Sequence, residues 1–73
     1  MKKKNLRGYT VHYKSEAGKG IDHLSFVLSS VESDSLFRNA RYSGRVKFED
    51  RAGRNFTLIS HSNGSFTVET RKY

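Results

Sequence analysis

The chain has 73 residues, carries 14 Lys and Arg against 7 Asp and Glu for a formal net charge of +7, and contains neither cysteine nor proline. That length holds one domain and not two, and the missing cysteines exclude disulfides and thiolate metal sites. No apolar run is long enough to cross a bilayer, and none follows Lys2-Lys3-Lys4 as a secretory leader would need, so a cytoplasmic setting is expected.

Residues 1–5 read as a basic flexible tail ahead of a single small β-rich domain over 6–73. Residues 6–14 alternate as a strand, with Tyr9, Val11 and Tyr13 on one face and Thr10, His12 and Lys14 on the other. Residues 15–20 are polar and read as a turn. Their Gly18-Lys19-Gly20 lacks the Gly-Lys-Ser/Thr ending of a phosphate-binding P-loop. The next stretch carries two periods at once. Ile21, Leu24, Leu28 and Val31 have helical spacing, whereas Asp22, Leu24, Phe26 and Leu28 alternate as in a strand. Phe26, Val27, Val31 and the serines among them lower helix propensity and tip the reading to strand. A short helical turn through Leu36, Phe37 and Arg38 follows, capped by Ser33 or Asp34.

The last third alternates most clearly. Tyr42, Val46, Phe48, Phe56, Leu58, Phe66 and Val68 occupy even positions, and Arg41, Arg45, Lys47, Asn55, Thr57, Ile59, His61, Thr67, Glu69 and Arg71 occupy odd ones. Three strands therefore share one apolar and one basic face, with Gly44 marking a bend in the first of them. Two three-residue loops, Arg51-Ala52-Gly53 and Ser62-Asn63-Gly64, keep the apolar set together. They pair Phe48 with Phe56, Val46 with Leu58 and Leu58 with Val68, and they place Asp50 beside Arg54. A loop of only two residues, Asn63-Gly64, would put Phe56 and Leu58 on the wrong side. The predicted fold is mainly β, in the order β-β-(short helix)-β-β-β, as a small bent antiparallel sheet or five-stranded barrel. The alternative is α+β, with a helix at 21–38 packed on a four-stranded antiparallel sheet.

Charge is uneven: residues 1–14 carry +5, 15–37 carry −3, 38–54 carry +4 and 55–73 carry +1. This balance favours polyanionic partners, nucleic acid first. Arg41, Arg45 and Lys47 on the third strand, with Arg71, His61 and Asn55 on its neighbours and Lys2, Lys3 and Lys4 in the tail, are the expected phosphate contacts. The phenylalanines fall on the core side, so bases have no stacking platform, and double-stranded DNA or structured RNA is favoured over single strands. His12, His23 and His61 lack metal-ligand spacing, and no cofactor is implied. Two other readings are an inhibitor or adaptor docking an acidic protein and a metal-free ribonuclease built on His61, Arg45 and His12. A monomer or weak homodimer is expected, with no membrane role.

Overall fold

In the computed structural model, which describes residues 2–6 and 8–71, the chain runs β1 (Lys2–Leu6), β2 (Tyr9–Tyr13), α1 (Gly18–Asp22), α2 (Ser30–Ser43), β3 (Arg45–Glu49), β4 (Asn55–Ser60) and β5 (Phe66–Thr70). A 3₁₀ turn, Ser15–Ala17, leads into α1, which continues as π-helical His23–Val27. The strands form one sheet in the order β1-β2-β5-β4-β3, antiparallel throughout except where β2 runs parallel to β5. Val11, Phe48, Phe56, Leu58, Phe66 and Val68 bury one sheet face against Ala17, Ile21, Leu24, Phe37 and Ala40 of the helical layer.

Both hairpins take the expected three-residue loops. Phe48 pairs with Phe56, Val46 with Leu58 and Leu58 with Val68, and Gly53 and Gly64 adopt φ of +81° and +89°. These are left-handed conformations that glycine reaches without a Cβ clash. In the first hairpin, Asp50 is the organising residue. Burial works against its charge, but Arg54 donates to it from its backbone N–H (2.8 Å) and guanidinium (3.0 Å), and the Ala52 N–H adds a third bond (3.0 Å). The net effect holds the carboxyl below its ordinary value of 3.8. A group with a lowered folded-state pKa stabilises the fold above its unfolded value and loses that contribution as pH falls through the folded one. Asp50→Asn is therefore expected to melt several degrees below the wild type at neutral pH. The two melting curves should converge in strong acid, as thermal scans by circular dichroism would show.

The helical layer departs from expectation. Residues 22–27 form helix rather than strand, and the sheet is open and mixed, not a closed antiparallel barrel. The reason is topological. β3 runs parallel to β2 at the far side of the sheet, and parallel strands need a long crossover, which helices supply. Helical spacing then buries Ile21 and Leu24 and leaves Phe26 76 % exposed. The expected mobile turn at 15–20 is helical as well. Gly20 packs so tightly on the sheet that a Cβ there would lie 2.8 Å from Phe56 Cδ1, on a ring with no exposed surface. Gly20→Ala should destabilise by about 1–3 kcal/mol through overpacking, despite alanine's better helix propensity. Gly18→Ala meets nothing within 4 Å and should be neutral or stabilising; chemical denaturation of the pair makes the comparison.

The short helix expected near 33–38 is the 14-residue α2. Its cap is Ser29, not Ser33 or Asp34. The Ser29 hydroxyl accepts from the Glu32 N–H (3.2 Å) and the Glu32 carboxylate accepts from the Ser29 N–H (3.1 Å), a capping box whose bonds hold the Glu32 carboxyl below its usual range. Gly44 ends this helix instead of bending a strand: at φ +94° its N–H bonds Ala40 O at 2.7 Å. Arg41 and Tyr42 consequently belong to α2 and not to the third strand, and Tyr42 is 95 % exposed rather than buried.

Residues 2–5, expected to be a flexible tail, form most of β1, paired with β2 from Lys2↔Tyr13 to Leu6↔Tyr9; Met1 lies outside the described residues. Lysines suit this position because an edge strand bristling with charge resists pairing with another sheet. The predicted strand at 6–14 is thus split around Gly8, at φ +86°. Its alternation holds over β2, where Val11 is buried.

Candidate nucleic-acid interface

The helices cover one face of the sheet. On the other, paired residues place Lys3, His12, Thr67, Ile59 and Arg45 in one row across all five strands. A second row brings Glu69, Thr57 and Lys47 together on the three strands β5, β4 and β3. At the end of the sheet the Arg71 guanidinium Nη2 donates to Asn55 Oδ1 at 3.1 Å, opposite Glu49. The open face therefore presents Lys3, Arg45, Lys47 and Arg71 against Glu49 and Glu69, among hydroxyls, an amide and two imidazoles. Ile59 is its one large apolar side chain, and it bears no phenylalanine or tyrosine among the described residues. The helical layer holds four of the seven acids, Glu16, Asp22, Glu32 and Asp34.

Of the expected contacts, Arg45, Lys47, Asn55, Arg71 and His61 share this face, with Lys47 facing Thr57 and Arg45 facing Ile59 as the register required. Lys3 joins them, opposite His12. Lys2 and Lys4 do not. In an edge strand alternate side chains go to opposite faces, and these two lie opposite Tyr13 and Val11 on the helix side, where Lys4 Nζ stands 5.3 Å from the Phe26 ring.

Arg41 is the larger departure. From α2 its guanidinium lies 5.7 Å from the Tyr9 ring and 5.6 Å from the Phe66 ring, on the covered side of the sheet. It meets His61 only in lining an open cleft of about 370 Å³ at the sheet end. Beside it the Tyr9 hydroxyl donates to Asp34 at 2.7 Å, a bond that raises the phenol above its ordinary 10.0, and Asp34 also pairs with Arg38 at 2.7 Å.

His12 and Thr67, both outside the expected phosphate contacts, also belong to the face. His12 points outward from β2, as its parity indicates, and Thr67 is its partner on β5. The His61 Nε2 lies 2.7 Å from Thr67 Oγ1. Alternation could place each of these on the outer side, but their adjacency depends on β2 lying parallel to β5, which no local pattern signals. His23 is different: it is buried and stacked 6.2 Å from Phe48 in the core.

Comparison with protein-family models, curated proteins and solved structures found no match to this chain. No helix among the described residues is long and apolar enough to cross a membrane.

Proposed function

We propose that the open sheet face binds the phosphate backbone of nucleic acid. The observation that carries this reading is the distribution of cations on an uncovered sheet: Lys3 and Arg45 on opposite edge strands, Lys47 beside Arg45, and Arg71 at the sheet end. Four interstrand steps of about 4.8 Å separate the two edges by roughly 19 Å, so the cations can meet separate phosphate tracks. Between them, the partly exposed Thr67 hydroxyl and the Asn55 amide offer uncharged contacts to backbone oxygens. With no phenylalanine or tyrosine on it among the described residues, the face offers little for stacking unpaired bases, which favours duplex DNA or structured RNA.

Fluorescence anisotropy with a labelled RNA hairpin, a DNA duplex and a single strand tests the reading. Four neutralised phosphates predict that log affinity falls with log salt at a slope near −3.6 on the duplex. Saturable binding with that steepness supports the proposal; no saturable binding at low salt overturns it. A protein-interaction module is the second reading, favoured by Phe26, Val31 and Tyr42, exposed by 76 %, 80 % and 95 % on the helical layer. It predicts affinity for a protein and none for the nucleic acids.

A further inference from the structure

We propose that His12 and His61 form a general acid–base pair that cleaves RNA on this face by transesterification. The inference rests on the phosphate-binding reading and adds a reaction to it.

The two histidines are 49 positions apart in the chain and converge on one side chain. His12 stands on β2 beside Thr67, about 4.8 Å away at the backbone, while His61 reaches Thr67 from the β4 side with its Nε2 2.7 Å from the hydroxyl. The imidazoles thus flank a single threonine at the centre of the sheet. His61 is exposed and His12 half-buried, and among the described residues neither is in an ion pair. The charged groups around them are Lys3 from β1, Glu69 from β5 and Arg45 and Lys47 from β3 on the same face, together with Arg41 of α2, which lines a cleft with His61.

That set matches what cleavage through the ribose 2′-hydroxyl requires. One neutral imidazole takes the proton of the 2′-OH, whose oxygen then forms a bond to phosphorus. The bond from phosphorus to the 5′-oxygen breaks, and the other imidazole, protonated, gives its proton to that oxygen. The products are a 2′,3′-cyclic phosphate and a free 5′-hydroxyl, and exchange with water restores both imidazoles. Lys3, paired with His12, sits where it can offset the charge growing on the phosphoryl oxygens, and Arg45 on the far edge holds a neighbouring phosphate. DNA lacks the nucleophile and would be bound but not cut. Thr67 is a positioning residue, since its hydroxyl orients the His61 ring.

The test uses the full chain in a chelator-containing buffer, with one RNA hairpin that carries an unpaired loop and its all-deoxy counterpart, following binding by anisotropy and cleavage by gel and end-group analysis. Cleavage of the RNA alone, with cyclic phosphate ends and a bell-shaped pH–rate profile, is expected. His12→Gln and His61→Gln, purified identically and checked for fold by circular dichroism, should each cut about 100-fold more slowly, a loss at least tenfold larger than any loss in binding. Thr67→Ser should keep the rate and Thr67→Val should lower it and shift the profile. RNA that is bound but left intact, or variants that cut as fast as the wild type, would overturn the acid–base pair while leaving phosphate binding standing. Failure to bind either hairpin would overturn both.

Discussion

Phe37→Ala is expected to leave the chain without a cooperative thermal transition. Phe37 has no exposed surface, stacks on Tyr9 at 4.4 Å and 10° between ring planes, and meets Phe66 edge-on at 4.9 Å. One side chain thereby joins α2 to both members of the parallel pair, β2 and β5. Truncating a buried phenylalanine costs about 3–5 kcal/mol, through lost transfer energy and the cavity left behind. A domain of this size without disulfide or metal holds rarely more than about 3–5 kcal/mol in total, so the loss matches the whole margin. Phe26→Ala removes the same ring from a mostly exposed position and should shift stability by no more than about 0.5 kcal/mol. Thermal scans of both variants by circular dichroism make the comparison. A cooperative melt for Phe37→Ala within a few degrees of the wild type would show that the aromatic cluster does not anchor the helical layer.

Reversing Arg45 and Lys47 together to glutamate should produce the largest change in binding. Both side chains are exposed on the open side of β3 and make no side-chain hydrogen bond or ion pair among the described residues, so the fold should persist. The substitution removes two phosphate contacts and sets two repulsive charges in their place. Each lost contact lowers the magnitude of the salt slope by about 0.9, taking it from near −3.6 to near −1.8, with affinity down ~100-fold or more at moderate salt. Arg41→Glu discriminates between a face and a bulk charge. It changes net charge as much as Arg45→Glu does, but from the covered side of the sheet, and should weaken binding far less. Equal losses from Arg41→Glu and Arg45→Glu would mean that net charge, and not this face, governs association.

The two hairpins were legible because their determinants are local. Between Phe48 and Val68 the alternation of apolar and polar residues and the glycines of the loops allow one register that keeps Phe56 and Leu58 with Phe66 and Val68. The structure has that register. Parity in β2 was readable for the same reason. Extending that parity backward from Val46 failed, because Gly44 separates the strand from a helix. Arg41 and Tyr42 look continuous with Arg45 and Val46 only if the chain stays extended through Gly44. The stretch from Ile21 to Val31 carried both periods, and its β-branched and aromatic residues argued for strand. Burial of Ile21 and Leu24 against the sheet outweighed that preference, which amounts to no more than tenths of a kcal/mol per residue.

Local chemistry in this protein specifies the turns, the apolar stripe of β3 to β5 and the outward direction of Arg45, Lys47, Asn55 and His12, since each depends on residues within a few positions. Contacts between distant segments govern the rest. Docking of β2 beside β5 puts His12 and His61 around Thr67, the crossover makes residues 18–27 and 30–43 helical, and edge pairing turns the lysines of the first residues into a strand. Those outcomes depend on burying one sheet face under one layer, a collective gain that no single segment's propensity or spacing contains.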